Sequence, residues 1–184
     1  MKTCLIIVDI QNDYFPGGSM ELVDMEDAAA RAQQLLQWAR KANMPVIHIQ
    51  HIAARPGATF FIPNTPGADI HPLAAPLAGE PVVVKHFPNS FRDTGLLELL
   101  CQGGIDSLVF CGAMSHMCID ATVRAAFDLG FGCTVAADAC ATRDLQFQGR
   151  TVKAADVQGA FMAALSVPFA RVVTTQEIIS NLSL

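Results

Sequence analysis

Apolar residues gather in six short runs, Cys4 to Val8, Pro45 to Ile49, Pro81 to Val84, Ser107 to Cys111, Cys133 to Ala136 and Ala170 to Val173. Each is strand-length and apolar at successive rather than alternate positions, the pattern of a strand buried on both faces. Between the runs the period changes. Met25, Ala28, Ala29, Ala32, Leu35, Leu36 and Ala39 form one stripe at helical spacing, which predicts a helix with Asp24 as its cap. A short helix is expected over Leu96 to Cys101 after Thr94, and another carries Ile119, Thr122, Ala126 and Leu129 before stopping at Gly130. Val157, Phe161, Ala164 and Leu165 mark a further helix, and Thr174-Thr175-Gln176-Glu177 is a capping box that opens the last one. Doubly buried strands that alternate with helices need crossovers on both faces of a mostly parallel sheet. The expected fold is therefore α/β, a three-layer α/β/α sandwich around roughly six strands, and 184 residues suit one domain spanning 1–184.

The stretch from Ile52 to Gly79 breaks this rhythm with Pro56, Pro63, Pro66, Pro72 and Pro76 among Gly57, Gly67 and Gly79. A connection that long is usually functional or a lid. Composition adds to the picture in two places. Hydrophobic residues make up 52% of the chain and charged ones 16%, more apolar surface than a solvent-covered monomer needs, so a homo-oligomer, a dimer or tetramer, is expected. No run approaches the ~20 residues of a membrane span, and the first ends in an acid rather than a cleavage site, so it reads as a strand and not a signal peptide. The six cysteines (4, 101, 111, 118, 133, 140) lack Cys-x-x-Cys spacing, which leads to an expectation of reduced thiols and a cytoplasmic location. The net charge of -5, without a Lys/Arg cluster, argues against nucleic acid and leaves a small molecule as the partner.

Ligands of parallel sheets bind beyond the carboxyl ends of the strands. Asp9 ends the first run, Lys85 ends the third, and Cys118 opens the helix after the fourth, so all three face one crevice. A helix N-terminus and a nearby ammonium both favour thiolate, and an acid in reach can take the thiol proton and later pass it to a leaving amine. Taken singly, each residue has an ordinary alternative as a core thiol, a loop cap or a snorkelling lysine. Aromatics beside the crevice, Phe15, Phe60, Phe61, Phe87 and Phe91, either wall a pocket or pack a lid; Phe15, Phe61 and Phe91, with Arg55, are the pocket candidates.

Four blocks now converge. Asp9-Ile10-Gln11-Asn12-Asp13-Tyr14-Phe15 resembles the DxQNDF opening of isochorismatase-like cysteine hydrolases. Lys85 to Leu96 is similar to the family's K-x-x-x-S-x-F-x-x-T-x-L block, Gly112 to Gly130 to its block around the nucleophile, and Asp138-Ala139-Cys140-Ala141 to the DACA segment that follows. The resemblance implies a Rossmann-like sandwich and a hydrolase whose Asp-Lys-Cys triad falls on Asp9, Lys85 and Cys118. It also implies a cis peptide at Ala113-Met114 and an oxyanion hole from the backbone NH groups of Met114 and Cys118. An amidohydrolase acting through a thioester is the activity implied.

The chain departs from the nicotinamidases of this superfamily, whose Asp-x-His after the second strand binds a metal; here that stretch reads Gln50-His51-Ile52-Ala53. His48 and His51, three apart in an extended segment, face opposite ways, so neither a metal nor any other cofactor is expected. His71, His86 and His116 read as hydrogen-bonded polar residues near the site. Two other activities stay open: vinyl ether hydrolysis of the isochorismatase type, with Asp9 as acid, and a non-catalytic or redox-sensing member of the fold using Cys118.

Overall fold

A computed structural model describes residues 2–181 of the chain. In chain order its strands are β1 (Thr3–Val8), β2 (Val46–His51), β3 (Val82–Lys85), β4 (Ser107–Ala113), β5 (Gly132–Ala141), β6 (Leu145–Phe147), β7 (Arg150–Val152) and β8 (Arg171–Val173). Six of them form one parallel sheet in the order β3-β2-β1-β4-β5-β8, and β6 and β7 pair only with each other. The helices are α1 (Met25–Lys41), α2 (Leu96–Gln102), α3 (Asp120–Asp128), α4 (Ala154–Ser166) and α5 (Thr175–Asn181). Alternate residues of β1 feed two cores: Leu5 and Ile7 pack with the α1 stripe and with Ile178 of α5, while Cys4, Ile6 and Val8 pack with side chains of α2, α3 and α4. The three layers follow from that alternation. No described helix is long and apolar enough to cross a membrane.

All seven residues of the expected α1 stripe are buried, but Asp24 does not cap the helix: it sits at φ 56° with no side-chain cap bond. Glu26 and Asp27 supply the negative charge that the helix N-terminus favours. The capping box of α5 is made in full, with Thr174 N donating to Glu177 Oε2 at 2.8 Å and Glu177 N donating to Thr174 Oγ1 at 3.2 Å. Strand β5 runs on past Ala136 to Ala141, through a register shift opposite Phe110 and Gly112 that turns Asp138 toward the start of α5, where it accepts from Thr175 N at 2.7 Å. That polar residue is what made the apolar run seem to stop. In α3 the buried stripe is Thr122, Val123 and Ala126, and Leu129, beyond the helix end, is 46% exposed. In α4 it is Ala154, Val157, Met162 and Leu165 rather than Phe161 and Ala164. The β6–β7 hairpin, turning through Gln148 and Gly149 at positive φ, has short exposed strands that offer no hydrophobic pattern to read.

The sheet order reverses between β1 and β4, the crevice where such sheets bind ligands. There the strands approach unusually closely. Gly112 has φ 121°, and a Cβ on it would stand 1.9 Å from the Val8 carbonyl oxygen, so only glycine fits.

Candidate active site

Three strand ends deliver the three expected residues to this crevice. Asp9 follows β1 in the left-handed region at φ 51°, sparsely populated by any residue but glycine and most tolerated by Asn and Asp. Lys85 is the last residue of β3, and the parallel register sets it beside His51 of β2. Cys118 lies not at the first turn of α3 but inside a π-helical turn, Ser115–Ile119, that runs from the end of β4 into α3. The Ala113-Met114 peptide just ahead of it is cis. Ser90 ties the Lys85 loop to the segment that follows Cys118, its N and Oγ lying 3.0 and 2.9 Å from Thr122 Oγ1 on α3.

Asp9, Lys85 and Cys118 come together almost sealed from solvent, at 0%, 0% and 4% exposure. Lys85 Nζ stands 2.8 Å from Asp9 Oδ2 in an ion pair. Its approach is off hydrogen-bond geometry, so both Asp9 oxygens are buried without a hydrogen-bond partner. The ammonium donates instead to the carbonyls of Phe87 and Pro88 at 3.1 and 3.3 Å and lies 3.2 Å from His51 Nδ1. Ligand atoms of Asp9, His51 and Cys118 lie within 4.8 Å of one another, and the lysine ammonium supplies the positive charge at that cluster.

The electrostatics differ from the expectation that this thiol favours its ionised form. Burial pushes the Cys118 thiol well above its usual value and Asp9 raises it further, against the opposing pull of Lys85. The ammonium is already balanced by the Asp9 carboxylate, so a resting thiolate would add an uncompensated charge to a dry site. For Lys85, burial works to lower the ammonium, but Asp9 and then Cys118 outweigh it and the net shift is upward. The resting set is carboxylate, ammonium and neutral thiol.

A cavity of about 480 Å³ reaches the cluster through His51, which lies 3.2 Å from Lys85 Nζ, and through Met117, next in the chain to Cys118; Phe61, Met114, Arg55 and Arg143 line it as well. A concavity of about 510 Å³ at the opposite ends of the strands is lined by Cys4, Arg40 and Glu80 among others, but Glu80 is paired with Arg40 at 2.8 Å and His48 at 2.9 Å, and burial pushes the Cys4 thiol up to about 12. Two pocket candidates stand elsewhere. Phe15 is buried and stacked on His71 with ring centroids 3.6 Å apart, and Phe91 packs against Phe131 in the core beneath α2 and α3. Phe61 reaches the cavity because the buried Asp13 carboxylate accepts its backbone NH at 2.6 Å and that of Ser19 at 3.2 Å. Gly67 passes so close over Asp13 that a Cβ there would stand 2.2 Å from the carboxyl oxygen. His48 turns away to Glu80, at 2.9 Å, while His71, His86 and His116 bond to Leu73 N, Ile52 O and Thr142 Oγ1. His51 and Arg143 were outside the expected site. The pairing of β2 with β3 brings in the first and the end of β5 the second, and spacing along the chain signals neither.

The isochorismatase domain model matches residues 3–177. The isochorismatase family protein YddQ of Bacillus subtilis is 51% identical over 176 residues, covering 96% of this chain and 98% of that protein. A streptothricin hydrolase of Streptomyces noursei is 38% identical over 141 residues, 77% of this chain and 50% of the relative. Among solved structures, one described as an isochorismatase hydrolase from Oleispira antarctica superposes with a TM-score of 0.94 at 49% identity, covering 97% of this chain and 96% of the other.

Proposed function

Because the chain belongs to the isochorismatase family, we propose that it is a hydrolase that cleaves the C–N bond of a small amide-type substrate through a thioester on Cys118. The observation that carries this reading is the fully buried Asp9 carboxylate, ion-paired with the Lys85 ammonium at 2.8 Å, beside a buried neutral thiol. Relatives named maleamate amidohydrolase, from Pseudomonas putida, and ureidoacrylate amidohydrolase, from Azorhizobium caulinodans, are 28% and 26% identical to it over 71% of this chain.

As the substrate carbonyl arrives, the Cys118 proton moves to Asp9, sulfur bonds to the carbonyl carbon, and the oxygen takes the electron pair opposite the backbone NH groups of Met114 and Cys118. Asp9 then protonates the nitrogen and the C–N bond breaks. Water enters, gives a proton to Asp9 and attacks the thioester; the C–S bond breaks and sulfur recovers its proton. Lys85 stays protonated throughout. Moving one proton from sulfur to Asp9 leaves the site's net charge at zero, and the ammonium, within reach of both groups, attends whichever is anionic.

Arg55 and Arg143 stand at the cavity wall, and no carboxylate among the described residues pairs with either; the polar contact of Arg143 is Met20 Sδ, a weak acceptor, at 3.2 Å. Their natural complement is an anionic group on the acyl half of the substrate. The test is a panel of maleamate, ureidoacrylate, nicotinamide and isochorismate, followed by ammonia release and by intact mass for an acyl adduct on Cys118. Arg143→Ala is expected to raise KM for the anionic amides by roughly 10-fold or more while moving that for nicotinamide less than about 3-fold. An equal rise for both removes the anion from the reading. Cleavage of isochorismate alone, without an adduct, replaces the amidase with an ether hydrolase.

A further inference from the structure

We infer that His51 touches the substrate directly, as a neutral imidazole whose Nε2 hydrogen is donated to an acceptor on the acyl half, a carbonyl or carboxylate oxygen or a ring nitrogen beside the scissile amide. The inference rests on Cys118 as the nucleophile, since it is the acyl group on that sulfur that His51 would meet.

Proton accounting at Lys85 carries the argument. An ammonium has hydrogens to give and no lone pair to offer. With Lys85 Nζ 3.2 Å from His51 Nδ1, that ring nitrogen is the acceptor, and an imidazolium there would set one N–H against another. A neutral ring with a bare Nδ1 holds its one hydrogen on Nε2. Among the described residues no acceptor takes that hydrogen: Asp9 Oδ2 is 3.9 Å from Nδ1, on the other side of the ring. Burial, opposed by Asp9 and reinforced by Lys85 and His86, keeps the imidazole neutral down to about pH 4.

The ring is also held still and partly open. Gln11, fully buried, donates Nε2 to His51 O at 2.9 Å and accepts His51 N at 2.8 Å, gripping both backbone groups of one residue. The Phe61 ring leans against the imidazole at 5.8 Å. The side chain keeps 18% exposure, and His51 lines the cavity. A hydrogen-bond donor fixed in orientation, unpartnered in the protein and facing a substrate-sized cavity beside the nucleophile has the properties of a recognition group.

Two measurements test this. In protein labelled with ¹⁵N-histidine, His51 is expected to show the Nε2–H neutral form unchanged between about pH 5 and about pH 8. Alkylating Cys118 with iodoacetamide, which puts an amide carbonyl on the sulfur, should shift the Nε2 resonance. Titration in that range, the Nδ1–H form, or an Nε2 signal indifferent to alkylation overturns the inference. In turnover of the best amide of the panel, His51→Phe is expected to raise KM about 10-fold or more. His51→Gln, which keeps an acceptor toward Lys85 and a donor toward the cavity, should stay within about 3-fold of the parent. A fall in kcat with KM unchanged in both variants would mean that His51 serves only to seat Lys85. Failure of the nucleophile reading shows separately, as a Cys118→Ala variant that still turns over.

Discussion

Replacing Cys118 with alanine is expected to lower amide turnover by at least about a thousand-fold and to leave the protein folded. The thiol is one small group at the edge of the core that includes Phe110, Ile119 and Val123, and removing its sulfur costs about 1 kcal/mol of packing. The chemistry has no substitute, because Asp9 without the sulfur has only water to activate, and the acyl group has no atom to rest on. Circular dichroism and thermal melting of the variant should match the parent within a few degrees, and intact mass should find no adduct with any amide of the panel. Residual activity above about a tenth of the parent would end the covalent mechanism.

Asp9→Asn is expected to abolish turnover as well, and also to unsettle the fold in a pH-dependent way. It leaves the Lys85 ammonium fully buried without its counter-charge, a change that costs about 3–5 kcal/mol. In the parent, Lys85 is held above its ordinary value, so its stabilising contribution is complete below about pH 10.4 and is lost only as pH climbs through the raised folded value. In the variant, burial acts unopposed by Asp9 and the lysine falls below its ordinary value. Its unfolded state then binds a proton the folded state does not, and stability rises with pH up to about 10.4. Urea midpoints at about pH 7 and about pH 9.5 should therefore show the gap between the two narrowing; because Asp9 also raises the Cys118 thiol, both proteins are compared in a Cys118→Ala background, where that thiol does not titrate. A gap that stays constant would mean that Asp9 does not set the charge of Lys85.

The sheet was legible in the sequence because strands covered on both faces must be apolar at every position, and six such runs leave few ways to arrange them. The strand-end rule found Asp9, Lys85 and Cys118 for the same reason: a parallel sheet brings all its carboxyl ends to one side. What lay beyond the sequence was set by contacts between segments. Ser90 and Thr122 stood in the family-like blocks without a visible purpose until the hydrogen bonds between them joined the lysine loop to α3. Phe15 and Phe91 had the right chemistry for a pocket wall, but His71 and Phe131 offered their rings flat partners elsewhere. Arg143 reaches the cavity only because β5 continues past its bulge. The state of the Cys118 thiol was misjudged because position along the chain reveals a helix start and a nearby lysine, yet not that Asp9 already claims the charge of that lysine.

The long connection from Ile52 to Gly79 is fastened over the cavity at Asp13, which holds Phe61 by its backbone and passes beneath Gly67, rather than by the side chains that face the ligand. Anchorage and selectivity are thus written in different letters. Ala54, Ala58 and Thr59 line the cavity without anchoring the loop, so on the amidase reading exchanges there would alter which acyl groups fit while the loop keeps its seat. Change at Asp13 or Gly67 has no such freedom, because it moves the whole wall at once and is felt by every substrate alike.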